Sequence, residues 1–535
     1  MSTHTSVLIV GGGLNGLAAA ALLAHQGIGC MVVERHADTS IQYKFAGISP
    51  RSSMEIFRGL GLEEEIRAKR TGDQQGGGIA RARNLADPDI QWGGPAWPDA
   101  SSYSPAQPAT CDQHVLEPIL RNCAERLGAD IRFHTEFLSF EQDDAGVRAV
   151  IRHRETGEEE AVAADYLIAA DGAGGTLREK LGIGRGGPGV LQHWMNIIFD
   201  TDLPSEIGGR RLTSCFVSDL NAAIVPRPGG RWLLALQYFP EKGERPEDFD
   251  RGRCRDLVER AAGRSGVKAE LVDARSWEMA AFLADRFRAR RCFLIGDAAH
   301  LMPPTGGFGG NSGIHDAHNL VWKLAMVLRG EADANLLESY DAERRRVIAA
   351  TLAQALARLQ QWFKDPAGRL PPLVAIVNDY DVVFGQRYDA GAFVFEDAAR
   401  DRPFEPIAEL SGEPGTRAPH LVVEHGGTKC STLDLFGHGF VLLADDANWR
   451  AVADRLRDER RIPITCYVLG PSGDLGDREG RWPRAYGVGE GGAALIRPDG
   501  FVAWRAPGAE AAAEGRLVQV LEKIGLRVGH RDGDH

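Results

Sequence analysis

Six consecutive residues, Gly11-Gly12-Gly13-Leu14-Asn15-Gly16, fit the pattern G-x-G-x-x-G, and Glu34 follows 18 residues after the last glycine. The chemistry open to that spacing is the binding of a dinucleotide. The glycines permit a tight turn and let a pyrophosphate approach the backbone, while a helix N-terminus behind them offers N–H donors and a positive dipole end. An acidic side chain closing the next strand accepts from ribose hydroxyls. The pattern alone discriminates poorly, because Gly182-Ile-Gly184-Arg-Gly-Gly187 and Gly487-Val-Gly489-Glu-Gly-Gly492 match it too. Only residues 11–16 join an apolar strand to a helix, so the other two read as turns.

Two further runs end an apolar strand at an aspartate beside a glycine. In Cys292-Phe-Leu-Ile-Gly296-Asp297 the aspartate can bond a polyol such as the ribityl chain of a flavin, or cap a helix. The loop from Pro303 to Gly310 then leads to a helix beginning near Asn311. The positive end of such a helix favours a reduced, anionic flavin ring by about 0.3–2 kcal/mol. Leu167-Ile-Ala-Ala-Asp171-Gly172 repeats the order strand, Asp-Gly, helix, which in isolation is a turn signal. These three strand ends meet only if their strands belong to one sheet.

The elements that must position them are legible in outline. A strand from Ser6 to Val10, a helix from about Asn15 to Gln26 and a strand from Gly29 to Glu34 form a right-handed parallel βαβ unit. A helix follows from about Pro50 to Arg58, and residues 71–108 read as an excursion of weak periodicity. After a helix opening near Asp112 come strands at 131–140, 147–152 and 166–170. The runs His193–Phe199, Thr213–Val217 and Trp232–Phe239 read as one antiparallel sheet. A strand at 291–295 and helices at 312–328 and 338–364 return to the first domain. Residues 419–535 form a separate β/α unit with strands near 421–424, 439–443, 465–469, 493–496 and 502–505 and a final helix at 514–524.

The 535 residues carry 62 basic and 74 acidic side chains, a net charge of −12 that argues against a nucleic-acid partner. The eight cysteines contain no C-x-x-C pair, as expected of free and mostly buried thiols in a reducing cytoplasm. The apolar stretch from Val7 to Val33 is broken by Gly11, Gly12, Gly13, Asn15, His25 and Gln26, so neither a signal peptide nor a membrane span is expected.

Taken together, the three motifs resemble those of the class A flavoprotein aromatic hydroxylases of the para-hydroxybenzoate hydroxylase type, most closely the branch acting on polycyclic aromatic polyketides. Supporting runs are Gly47-Ile-Ser-Pro-Arg51, Asp112-Gln113-His-Val-Leu-Glu117-Pro-Ile-Leu120 and Gly313-Ile-His-Asp316-Ala-His-Asn319-Leu-Val-Trp322-Lys323. Near the C-terminus, Ser431-Thr-Leu-Asp-Leu-Phe-Gly437 and Ile496-Arg-Pro-Asp-Gly500 resemble that branch's thioredoxin-like domain. The resemblance implies an α/β fold with a Rossmann-like FAD-binding domain of glutathione-reductase type (1–72, 109–185, 276–400), an antiparallel-sheet substrate domain (73–108, 186–275) and a thioredoxin-like domain (401–535). It implies FAD as cofactor, NADPH or NADH and dioxygen as co-substrates, and hydroxylation of a polycyclic aromatic substrate through a flavin C4a-hydroperoxide, in a monomer or homodimer.

Carried over by position, Gly11, Gly13, Leu14, Asn15, Gly16 and Glu34 would hold the AMP half of FAD, Gln113 and Asp297 its middle, and Pro304, Gly307, Gly309, Gly310 and Asn311 the flavin ring. Asp171 and Gly172 would support the cofactor and assist NADPH. Where Phe45-Ala46 stands the family usually has Arg-Ala, so Lys44 or Arg35 would supply the positive charge. Trp194, Asn196, Tyr238 and Phe308 are the candidate substrate pocket.

No catalytic base is named by the sequence; His193, Tyr238 and His300 are the candidates. His315 and His318 lie three apart on a helix without a third ligand, so no metal is expected. Cys430 and Cys466 lack the C-x-x-C spacing that activates a thiolate. Two alternatives stay open: a Baeyer–Villiger or ring-rearranging oxygenase on the same fold, and a flavin-carrying protein that sequesters an aromatic antibiotic without turnover.

Overall fold

A computed structural model describes residues 3–40, 51–70, 78–95, 99, 101–362, 370–396, 402–470 and 473–528. Strand β1 (Thr3–Val10), helix α1 (Leu14–His25) and strand β2 (Cys30–Val33) form the opening βαβ unit. Every residue of β2 is buried, as is most of the Ala- and Leu-rich α1, the signature of a parallel layer covered on both faces. Helices α2 (Arg51–Gly59) and α3 (Gln113–Arg126) cover that layer, followed by β3 (Asp130–Arg132), parallel to β2, and β4 (Glu159–Ala169), parallel to β1. The single strand expected over 131–140 is two. His134 adopts a left-handed backbone (φ 52°), and beyond it Thr135–Gln142 folds back on Val147–His153 as a hairpin along β4.

The chain then enters a second sheet through β5 (Arg185–Thr201), β6 (Arg210–Val217), β7 (Ala222–Pro226) and β8 (Arg231–Tyr238). Helix α4 (Arg251–Ala262) follows, then the 16-residue strand β9 (Ala269–Ala284), which the sequence reading missed. Neighbours run β9, β5, β8, β7, β6 and continue into Gly78–Ala82 and Gln91–Pro95 of the early excursion. The sheet is antiparallel except where β6 runs parallel to Gly78–Ala82. β9 passes unbroken from this sheet toward the nucleotide-layer strand β10 (Cys292–Leu294), which is parallel to β4.

That completes the order β10, β4, β1, β2, β3, which brings the carboxyl ends of β1, β4 and β10 side by side. Helix α5 (Phe308–Leu328) packs on α1, and α6 (Glu338–Trp362) packs on α5. The C-terminal unit is a thioredoxin-like four-stranded sheet built of β11 (Phe440–Ala444), β12 (Ile464–Val468), β13 (Ala493–Ile496) and β14 (Val502–Ala506), in the order β12, β11, β13, β14. Helices α7 (Ala447–Arg460) and α8 (Ala513–Ile524) pack on it. No helix among the described residues is long and apolar enough to cross a membrane.

Candidate functional site

The glycines of the first turn are required by its geometry. Gly11 has a left-handed backbone (φ +109°), and a Cβ there would lie 2.2 Å from the Ala170 carbonyl oxygen. A Cβ on Gly16 would lie 1.9 Å from the Gly11 carbonyl oxygen. The ends of β1 and β4 therefore touch, and Asp171 stands beside the turn. Gly13 is the N-cap of α1 and provides no side-chain acceptor, so the first-turn N–H groups remain for an anion. Glu34 is held next to them: its Oε2 accepts from the Gly12 amide at 2.8 Å and its Oε1 from the His36 amide at 2.9 Å.

Asn15 fills the space that Gly296 and Gly313 leave, since a Cβ on either would meet its amide, and its Oδ1 is buried without a partner among the described residues. Asp171 Oδ2 accepts from the Leu177 amide at 3.0 Å, while Oδ1 is buried with no hydrogen-bond partner among the described residues; burial raises the pKa of this carboxyl. Gln113 donates to Glu117 Oε1, and Glu117 Oε2 accepts from the Ser40 amide at 2.7 Å. Glu117 is fully buried beside Gly13. It is a part of this cleft that sequence reasoning did not single out. Asp112 pairs with Arg227 at 3.1 Å, a nearly buried bridge between the nucleotide layer and the second sheet, also unforeseen. Arg35 is exposed, and Lys44 lies outside the described residues. The cleft suits a dinucleotide: an uncapped helix N-terminus, an acidic residue fixed beside it, and orphaned acceptors at Asn15 and Asp171.

Asp297 follows β10 in a short 3-10 turn and is partly exposed. The turn is braced from below by Asp316, whose Oδ2 accepts from the Gly296 amide at 3.1 Å and lies 2.7 Å from His300 Nε2. Its Oδ1 accepts from Arg344 Nε at 2.8 Å. Burial pushes the Asp316 carboxyl up, but His300 and Arg344 outweigh it and hold the pKa at about 2. His300 is thus fully buried, with its Nε2 hydrogen-bonded to Asp316 beneath the turn and not facing open space. Beyond it, Gly307 (φ +68°) caps α5, and Asn311 donates from Nδ2 to the Gly307 carbonyl at 2.7 Å while its Oδ1 accepts from Ser53 at 2.8 Å.

The second sheet presents two faces of different character. On one, Trp194 stacks on Trp277 with ring centroids 5.8 Å apart, and Trp277 Nε1 donates to Asn196 Oδ1 at 2.8 Å. Trp194 Nε1 donates to Gln192 Oε1 at 3.0 Å. Trp194 packs with Met279, Leu352 and Leu356 and with Met302, in the loop that leads to Pro304. On the other face Tyr238, Met195 and Phe199 pack beneath α4 against Phe249 and Leu257. His193 faces Tyr238 on that same side, with rings 5.6 Å apart. The period of two thus separates Trp194 and Asn196, on one face, from His193 and Tyr238, on the other. Phe308 is 2 % exposed among Phe384, Tyr380 and Ala355, so it is a core side chain and not a pocket wall. Trp277 was missed because β9 shows no regular alternation.

Among the described residues no group of three or more His, Cys, Asp or Glu is placed to hold a metal ion. Cys430 and Cys466 sit on different sheets, and burial raises the Cys466 thiol to about 12.

A family model described as "FAD binding domain" matches residues 4–355, and one described as "Aromatic-ring hydroxylase, C-terminal" matches residues 411–525. Tetracenomycin A2 monooxygenase-dioxygenase of Streptomyces glaucescens is 39% identical, over 100% of this chain and 99% of its own. Aklavinone 12-hydroxylase of Streptomyces purpurascens is 40% identical, over 98% and 99%. The crystal structure of aklavinone-11 hydroxylase with FAD and aklavinone superposes with a TM-score of 0.90 at 38% identity, covering 98% of this chain and 99% of that one.

Proposed function

The chain belongs to the FAD-dependent aromatic-ring hydroxylases, monooxygenases that take electrons from NAD(P)H, and on that premise we propose that it hydroxylates a polycyclic aromatic polyketide in antibiotic or pigment biosynthesis. What supports the substrate class is the likeness to the tetracenomycin and aklavinone hydroxylases, together with the Trp194–Trp277 pair, of which Trp194 is buried and Trp277 half-buried, beside Asn196 and Gln192 and against Met302 before the glycine-rich loop. A planar aromatic skeleton suits the half-buried Trp277 face, and the amide nitrogens of Asn196 and Gln192 would donate to its oxygens.

Bound FAD supplies the activation of dioxygen and the acceptance of electrons; the protein supplies binding, orientation and exclusion of water. The turn Gly11 to Gly16 and the first N–H groups of α1 would hold the pyrophosphate, with Glu34 on the adenosine ribose. Gln113 and Asp297 would bond the middle of the cofactor, and Asp171 with Gly172 would support it from the end of β4. The backbone from Pro304 through Gly307, Gly309, Gly310 and Asn311 would face the ring, the positive end of α5 favouring its reduced anion. We assign no side-chain base.

The test is NAD(P)H consumption by the FAD-loaded protein across a panel of anthraquinone, naphthacenequinone and angucyclinone compounds, with product mass followed. A ligand that accelerates NAD(P)H oxidation and gains one oxygen is the expected result. Ligands that speed oxidation yet are recovered unchanged would overturn the substrate class.

A further inference from the structure

One buried carboxylate joins the pieces of chain to which the cofactor contacts are assigned. Asp316, on α5, is 0 % exposed. Its Oδ2 accepts from the amide of Gly296, the residue before Asp297, and hydrogen-bonds His300, which opens the short strand His300–Leu301 leading to Pro304 and the glycine-rich loop. Its Oδ1 accepts from Arg344 on α6, and the same guanidinium donates from Nη2 to the Ser312 carbonyl near the start of α5 at 3.2 Å. Arg344 Nη1 donates to Gln386 Oε1 at 3.1 Å and to the Tyr388 hydroxyl at 3.0 Å. One turn earlier on α6, Tyr340 donates to the Leu294 carbonyl at the end of β10, at 2.7 Å.

Stability alone does not call for a charge here, because replacing a buried ion pair whole by apolar side chains of the same volume is often neutral or better. What the carboxylate adds is direction. Gly296 lies beyond the end of β10 with a left-handed backbone (φ +57°), so the sheet does not orient its amide, and Asp316 does. Asn15 packs against the same turn, since a Cβ on Gly296 would strike it. A shift of the carboxylate would therefore move Asp297, the loop and the start of α5 together.

We propose that Asp316 is a positioning residue for the flavin: through Gly296, His300 and Arg344 it fixes where Asp297 and the positive end of α5 stand against the cofactor. The inference rests on the cofactor contacts proposed above and goes beyond them by naming the group that sets their geometry. A helix end acts on charge only within about its first turn. The preference of the site for the reduced, anionic ring therefore depends on that geometry.

The test uses the full-length, FAD-loaded protein and reads the FAD dissociation constant, the midpoint potential of the bound flavin and the thermal unfolding midpoint. Asp316→Glu keeps the charge and displaces both oxygens by one methylene. It should bind FAD about tenfold more weakly. Its flavin potential should fall by the equivalent of about tenfold weaker binding of reduced relative to oxidised FAD. If Asp316→Glu does not fold, His300→Leu, which leaves the Asp316–Arg344 pair in place, should move the potential in the same direction. Asp297→Ala removes the contact, leaves the brace, and should also lower FAD affinity. A folded, FAD-loaded brace variant with the wild-type potential, whatever its unfolding midpoint, overturns the proposal, since a part of the fold alone would behave in that way. Wild-type FAD affinity in Asp297→Ala overturns the cofactor contact itself, and the proposal with it.

Discussion

Arg497 of the C-terminal unit places its two terminal nitrogens each 2.8 Å from a different carboxylate oxygen of Glu343 on α6, with both side chains fully buried. Glu343 Oε2 also accepts from Lys323 Nζ at 2.8 Å and from Asn319 Nδ2 at 2.7 Å. Arg497 additionally pairs with Asp499. This cluster ties α5 and α6, which flank the cofactor cleft, to the thioredoxin-like unit. Removing one partner strands a buried charge, so Glu343→Gln and Arg497→Met should each cost about 3–5 kcal/mol. Denaturant unfolding measures the loss. An unchanged midpoint in either variant would refute a structural role for the pair.

Acid should act through the same groups. Burial raises the Glu343 carboxyl, but Arg497 and Lys323 outweigh it and bring it to about 2; Asp316 is also at about 2. Both are depressed below their unfolded values, so their stabilisation is fully present above roughly pH 4.5 and is lost as pH falls toward 2. Unfolding in that window takes up protons, and each group contributes a slope of about 1.4 kcal/mol per pH unit. Unfolding free energies measured at pH 5, 4 and 3 should fall progressively. Glu343→Gln should fall less steeply than the wild type.

The cofactor turn admits a sharper perturbation. Gly11→Ala puts a methyl group 2.2 Å from the Ala170 carbonyl oxygen, in a backbone conformation that alanine resists. The end of β1 must then separate from β4, and α1 must shift with it. Purified Gly11→Ala should carry much less FAD per chain than the wild type, measured by flavin absorbance. Gly128→Ala, also at positive φ but with open space around it, should keep its flavin and lose only modest stability.

How much of this was legible in the sequence varied with the range of the interaction. The β1–α1–β2 unit and the three strand-end motifs are local patterns, and the sheet order places their strands side by side in one sheet, the condition on which the motifs could meet. What escaped depends on partners far along the chain. Strand β9 alternates too irregularly to be read alone, and its length follows from pairing with β5, so Trp277 went unseen. The sides of the second sheet could not be assigned before the register was known. That register sets Tyr238 opposite His193, under α4, and Trp194 beside Gln237 on the other face. Likewise nothing in the sequence tied His300 to Asp316 and Arg344, 16 and 44 positions away.

The faces of the second sheet make the last prediction. If the Trp194–Trp277 panel receives the substrate, Asn196→Ala removes both the acceptor that orients Trp277 and an amide available to the ligand, while leaving the cofactor cleft untouched. KM should rise about tenfold, with FAD content unchanged and kcat less affected, since orientation and not the oxygen-activating step is lost. Tyr238→Phe and His193→Gln act on the opposite face, so each should leave kcat and its pH profile within about twofold of the wild type. A kcat that collapsed in either, with the loss of an ionisation from the profile, would mark that residue as a base and would mean that the substrate lies under α4 and not against the tryptophans. Measuring the three variants together with one accepted polycyclic substrate therefore decides which face of the sheet is the reaction surface.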